Sequence, residues 1–347
     1  MRTYVVRRLV QAVLVLLAAY TLSFLLLSAL PGDSVTNRIQ NPEAQITPEA
    51  GRQMLAFYGL DRPVWEQYLR ALWSLLHGDL GFSLSTGKPV AQTVLDVLPS
   101  TLALTGLGLV FGVVFAVVVA LAANYAPWAW LRGVFDSAPA VFASVPTFVV
   151  GVVALQYLSF RWHLIPSVDN GTPLALVAPA ATLGLIVAAP LAQVFATSVR
   201  ATRQRPFVHV AAARGAGEGY LFRKAVLRNS SLPVLTLLGL AFGELIAGAV
   251  VTESVYARQG IGQLTVGAVD TQDLPVVQGV VLLSTVAYVL VNLAVDLAYP
   301  FLDPRVLVDP TTRRVSGSRV AKRADAAVPV PVIAPVPRRL PAEVVVP

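Results

Sequence analysis

Six stretches of the chain are long and almost free of charge. Residues 9–30, 98–123, 137–160 and 174–199 carry none, 230–252 carries only Glu244, and 274–302 carries only Asp296. A bilayer core needs about 20 consecutive apolar residues per helix. Each stretch therefore predicts a transmembrane helix, and helices are required because an open sheet edge has no partners in lipid. Small residues and prolines punctuate the pattern. Gly108, Gly112, Ala116 and Ala120 recur at four-residue spacing, the close-approach stripe of packed membrane helices. Pro139, Pro146, Pro179 and Pro190 predict kinked third and fourth spans, around a cavity or for packing alone.

Between the spans lie polar segments of distinct kinds. Segment 31–97 predicts a small helical cap: Asp61 is placed to cap a helix with Pro63 in its first turn. Val64, Tyr68, Leu72 and Leu75 share one face of that helix, and a helix lying along the headgroups remains the alternative for Trp65 and Trp73. Segment 200–230 is a basic island, with Arg200, Arg203, Arg205, Arg214, Arg223, Lys224 and Arg228 against the single acid Glu218. Its order predicts a short helix, a bend at Gly215 and Gly217, and a second short helix outside the membrane. Residues 306–347, rich in Val, Pro and basic residues, have no helical period and read as a disordered tail.

Composition agrees with an integral membrane protein: 56% of the 347 residues are hydrophobic and 13% charged, where soluble domains carry nearer a quarter charged. The net charge of +7 sits beside apolar spans, so it reports orientation and not nucleic-acid binding. Arg2, Arg7 and Arg8, the basic island, and Arg305, Arg313 and Arg314 fall on one face if there are six spans, which puts both termini in the cytoplasm. The absence of cysteine excludes disulfides and thiolate chemistry. His77, His163 and His209 are scattered, so no metal site is read, and no catalytic set converges. Nor is there a phosphate-binding loop: 81–88 has the wrong glycine spacing and continues into Pro89. ATP hydrolysis would have to come from another chain.

Two intramembrane carboxylates are candidates for chemistry. Glu244 either faces a translocation cavity, attracting an ammonium group, or pairs across helices. Asp296, near the cytoplasmic end, reads as a salt-bridge or capping residue. Glu253 is expected at the outer mouth of a substrate path.

An ordered set of motifs resembles the permease subunits of ATP-binding-cassette importers, in the dipeptide/oligopeptide/nickel group. It comprises Leu30-Pro31-Gly32-Asp33, Gly59-Leu60-Asp61-Arg62-Pro63, Gly78-Asp79-Leu80-Gly81 and Thr86-Gly87-Lys88-Pro89-Val90. It continues with Ala211-Ala212-Ala213-Arg214-Gly215, Leu227-Arg228-Asn229, Val250 to Tyr256, Gly260-Ile261-Gly262, Asp273-Leu274-Pro275 with Gly279, and Asp303-Pro304-Arg305. The likeness runs from residue 1 to 305. It implies an all-α integral membrane protein with six transmembrane helices in the type I importer permease fold. Residues 1–30 would form the first span, 31–97 the extracytoplasmic cap, and 98–305 the five-helix core with its coupling loop at 200–230.

The resemblance further implies a non-catalytic subunit in the plasma membrane that imports peptides, or nickel or another small solute, by alternating access. The partners implied are a second homologous permease, two ATPase subunits that bind the ATP and Mg, and an extracytoplasmic solute-binding protein. The chain itself would hold no cofactor. Ala211, Arg214, Gly215, Gly217, Glu218, Tyr220, Phe222 and Arg223 would couple to the ATPase, with Gly215 as the loop's central glycine and 217–222 as the coupling helix. The family's Glu-Ala-Ala falls here on His209, Val210 and Ala211, so its glutamate is absent. Gln259 stands where the group usually has proline. The competing reading from another class is an ion-driven secondary transporter using Glu244 and Asp296.

Overall fold

In a computed structural model, residues 2–29, 34–40, 46–168 and 171–302 are described, with side chains over 9–29, 35–37, 39–40, 46–168 and 171–294. The tail expected at 306–347 and the side chain of Asp296 lie outside them. The described residues form helices throughout, with one isolated bridge between Phe82 and Pro89.

The elements in order are α1 (Arg2–Ser28), α2 (Ser34–Gln40), α3 (Pro48–Tyr58), α4 (Val64–Leu76), α5 (Val90–Tyr125), α6 (Ala129–Ser144), α7 (Thr147–Ala154), α8 (Pro173–Arg203), α9 (Pro206–Ala213), α10 (Glu218–Tyr220), α11 (Leu227–Val255), α12 (Ile261–Asp270) and α13 (Leu274–Leu302). Among them, five continuous helices are long and apolar enough to cross a membrane: 9–28, 90–125, 173–203, 218–255 and 274–294. The expected third span is not one straight helix. α6 and α7, the latter extended by a π-helical segment Leu155–Arg161, meet at 95°, and counted together they make the sixth. The break falls at Val145-Pro146, since Pro146 has no N–H for the helix ladder and disfavours helical geometry in Val145. Pro139, Pro179 and Pro190 stay inside continuous helices. Of the four prolines expected to interrupt spans, only Pro146 does so.

The small-residue stripe of α5 packs on α8. A Cβ on Gly108 would sit 3.3 Å from Ala180 O, and one on Gly112 would sit 2.6 Å from Val187 Cγ2 and 2.8 Å from Gly184 O. Gly184 answers from the other side, where a Cβ would overlap Gly108 O. Three glycines thus let two backbones touch, where side chains would hold them apart. Leu104, Ala116, Val119, Leu183, Val187, Leu191 and Leu245 close the core around this contact.

Residues 46–89 sit at the end of the bundle where α5 begins. Asp61 does not cap α4. Pro63 occupies the cap position with no side-chain bond, and half-exposed Asp61 lies 4.0 Å from Arg62. The two faces of α4 differ in their surroundings. Tyr68 packs edge-on against Phe24 of α1 at 5.2 Å and shares a 2.8 Å hydrogen bond with Thr21, whereas Trp65, Leu69, Trp73 and Leu76 are exposed.

Candidate functional site

The basic island lies at the opposite end, between α8 and α11. Pro206 opens α9 at its first position, where a missing N–H costs nothing. α9 ends at Arg214, and Gly215 takes φ +86°, a left-handed conformation that lets Ala216 N reach back to Ala211 O at 3.2 Å. Gly217, extended, then starts the next helix, with Glu218 in its first turn, where the helix dipole favours an acid.

The second half of the island is not a separate short helix. From Glu218 the chain runs through a π-helical segment, Leu221–Val226, directly into α11. No glycine or proline intervenes between Tyr220 and Leu232 to stop it. The continuous helix 218–255 has 38 residues, about 57 Å at 1.5 Å per residue. Against a hydrocarbon core of about 30 Å, it projects well beyond the membrane.

An aromatic and ionic clasp fastens this projection. Phe222 packs edge-on to Tyr125 at 5.6 Å, and the Arg203 guanidinium lies 4.4 Å over the same Tyr125 ring. Arg203 Nη1 also donates to Asn124 O at 3.0 Å, and its Nη2 is 3.6 Å from Glu218. Below the clasp Val226 is buried with Ala120, Ala123, Phe195 and Val199. The expected coupling residues therefore divide by environment. Phe222 and Ala211 are half-buried, Glu218 is exposed but faces Arg203, and Arg214, Gly215, Gly217, Tyr220 and Arg223 are exposed. Phe207 and Val210 add to the exposed apolar surface. Arg203 was read in the basic island but not as a coupling residue, and Tyr125 and Asn124 were not legible as members. The one available signal was a polar Asn-Tyr pair closing an otherwise apolar span.

The two carboxylates expected on a substrate path have opposite surroundings. Glu244 is exposed and has no polar partner among the described residues. It shares an uncovered face of α11 with Thr236, Leu240, Ala247, Val251 and Ser254, at helical spacing. Glu253 is fully buried. Its Oε1 accepts from Thr101 Oγ1 at 2.6 Å, and its Oε2 accepts from the backbone N–H groups of Gly262 and Gln263 at 2.8 and 3.3 Å. The carboxylate caps the start of α12, so Glu253 is closed off from any open path and acts as an anchor.

Residues 99–308 match the family described as the binding-protein-dependent transport system inner membrane component, and residues 1–105 match its N-terminal counterpart. The dipeptide transport system permease protein DppB of Escherichia coli (strain K12) is 31% identical, covering 88% of this chain and 99% of that protein. The glutathione transport system permease protein GsiC of Escherichia coli O6:H1 is 32% identical, and a probable peptide ABC transporter permease protein, y4tP, of Sinorhizobium fredii is 34% identical, both with the same coverage. Among solved structures, an amino acid ABC transporter crystallised with histidines shares 18% identity at a TM-score of 0.48, covering 58% of this chain and 91% of that one.

Proposed function

The chain belongs to the binding-protein-dependent transport system inner membrane components, and on that premise we propose that it is the permease subunit through which an ATP-driven importer carries peptides. Membership makes it a multi-pass inner-membrane protein and a transport component, not a catalyst. A family of this kind works with a binding protein and an ATPase. The finer assembly is our reading: a second homologous permease alongside, two ATPase subunits that bind the ATP and Mg, and both termini in the cytoplasm. The dipeptide, glutathione and peptide names of the relatives support a short peptide as the substrate.

The observation that carries the coupling role is the exposed facet of the basic island. Phe207 and Val210 of α9, with Tyr220 on the end of helix 218–255 that projects past the bilayer, present apolar surface among Arg214, Arg223 and Lys224. Aromatic anchors ringed by cations suit docking into a cleft of a soluble partner. Because helix 218–255 is unbroken, a push on Tyr220 reaches the spans through a rigid rod, and the Phe222–Tyr125–Arg203 clasp passes it to α5 and α8. Movement of the loop would then rock the spans about the substrate path.

We assign Glu244 to that path. A carboxylate within a spanning helix is too costly to leave against lipid, and this chain offers it no partner among the described residues. An uncovered face carrying Thr236, Glu244 and Ser254 fits the wall of a water-filled passage between two permeases, where the carboxylate would attract a peptide ammonium group. The assembly is tested by purifying the complex from native membranes, with a photocrosslinker at position 220 and mass spectrometry of the bound solute. Crosslinks to an ATP-binding subunit and a bound peptide are expected. Crosslinks to lipid alone would sink the coupling role.

A further inference from the structure

At the end of the bundle that carries the basic island, the ends of α5 and α8 and the starts of α6 and α9 enclose an open cavity of about 550 Å³. Arg132, Arg200, Arg203 and His209 line it together with a single acid, Asp136. The three guanidinium groups are held in place. Arg132 Nη1 donates to Ala126 O at 2.8 Å, Arg200 Nη2 pairs with Asp136 at 2.6 Å, and Arg203 is fixed by Asn124, Glu218 and the Tyr125 ring. A guanidinium carries five N–H donors in a rigid fork, so these bonds leave donors on each arginine for an anion.

Two neighbouring features place the cavity at headgroup depth. Trp128, at the N-cap of α6, and Trp130, in its first turn, are exposed and stack at 6.2 Å with ring planes 12° apart, and exposed tryptophans of a membrane protein gather at the lipid–water boundary. α6 then presents Val134 and Val141, both exposed and seven residues apart, on one apolar face. A basic hollow, a tryptophan pair and an apolar strip thus follow one another along a single helix start.

We propose that this cavity binds the phosphate headgroup of an anionic phospholipid, with the acyl chains lying along the Val134–Val141 face of α6. Basic pockets between transmembrane helices recognise such headgroups, and planar guanidinium groups match phosphate oxygens in pairs. With His209 of α9 in the wall, the bound lipid braces the first half of the basic island against α6 and α8. The assignment requires only that the chain spans a membrane, so its failure would leave the transport reading intact.

The test is native mass spectrometry of the full chain in micelles doped with phosphatidylglycerol or phosphatidylcholine. Wild type should retain phosphatidylglycerol in preference to phosphatidylcholine, and R132Q/R200Q should lose about tenfold in retention, as expected for removal of charge-assisted contacts worth about 1.4 kcal/mol. D136N, which removes the one acid, should retain it at least as well as wild type. Millimolar inorganic phosphate should not displace it. Equal retention of the two lipids, or undiminished retention by R132Q/R200Q, overturns the proposal. So does displacement by free phosphate, which would mean a soluble-anion site, or an equal loss in D136N, which would mean that the pocket had merely collapsed.

Discussion

Thr101 Oγ1 lies 2.6 Å from Glu253 Oε1 and 2.8 Å from the backbone nitrogen of Ile261, so one hydroxyl on α5 donates to a carboxylate of α11 and accepts from the first turn of α12. The same few residues bind two further helices. The Tyr256 hydroxyl hydrogen-bonds Thr182 of α8 at 2.9 Å, and Val255 and Tyr256 pack against the space that Gly151 leaves on α7. The run 250–256 is thereby a knot of five helices at the end of the bundle away from the basic island. A Cβ on Gly260 would overlap the Glu253 carboxylate, and one on Gly262 would overlap the Val250 backbone. These two glycines let the α12 backbone close around the acid.

Thr101→Val keeps the shape and removes the hydroxyl, leaving the Ile261 N–H and a carboxylate oxygen unpaired. The expected loss is about 1–3 kcal/mol. Gly260→Ala should be worse, because its Cβ displaces the carboxylate itself. Thermal unfolding of the purified protein in one detergent should rank wild type above T101V and T101V above G260A; a T101V variant as stable as wild type would show that the hydroxyl holds nothing.

Asp273 performs a matching task for the cap. It is buried and accepts from Ser83 Oγ at 2.5 Å, Ser85 Oγ at 2.7 Å and the Leu84 and Ser85 backbone N–H groups at 3.1 Å. Asp273→Ala should leave these donors unsatisfied and free the turn at 82–89. Hydrogen exchange at the Leu84 and Ser85 amides should accelerate by about tenfold or more, while exchange within α8 stays unchanged.

The α5–α8 contact tolerates no added bulk. Gly112→Leu must push against Gly184 O and Val187, and overpacking of this kind costs about 1–3 kcal/mol or more. Reduced yield of folded protein by size-exclusion chromatography is expected, whereas Gly133→Leu, where a Cβ meets nothing within 4 Å, should purify like wild type.

Gly215 sits in open space at φ +86°, so a bulky residue there meets no steric clash but strains the backbone by about 1–2 kcal/mol. Gly215→Val should still reach the membrane at wild-type amounts while ATP-dependent uptake is lost. Undiminished uptake by vesicles would remove the coupling role from this loop.

Glu244→Gln leaves the size of the side chain and removes its charge. Uptake of a dipeptide with a free amino terminus should fall by roughly tenfold, the value of one partly desolvated charge contact, and an N-acetylated dipeptide should be affected far less. Equal effects on both would mean that Glu244 does not meet the ammonium group.

Several local features could be read from residue order because they depend on local chemistry. Uncharged runs become helices wherever the backbone must satisfy itself, and the four-residue repeat of Gly108 to Ala120 does mark a close helix contact. Its partner, Gly184, belongs to a matching repeat in the next span, Ala180, Gly184, Ala188, Ala192 and Ala196, all buried; which two stripes meet is what residue order leaves open. The cap at Asp61 failed because Pro63 took the capping position without a side-chain bond, an outcome that residue type does not reveal. Glu253 was legible as an acid at the end of a span. Its burial was not, since Thr101 lies 152 residues away in the chain and nothing local announces it.

By itself, the amino-acid order determined an all-helical membrane protein, the approximate limits of its spans and the position of a basic island, because hydrophobic runs and charge act over a single helix length. Only the tertiary structure decided that the island's second half continues α11, that α6 and α7 meet at a right-angled break, and that Glu244 stays open while Glu253 is sealed. Those outcomes depend on which distant backbones approach closely enough to share a hydrogen bond or exclude a methyl group, and such distances are set by packing.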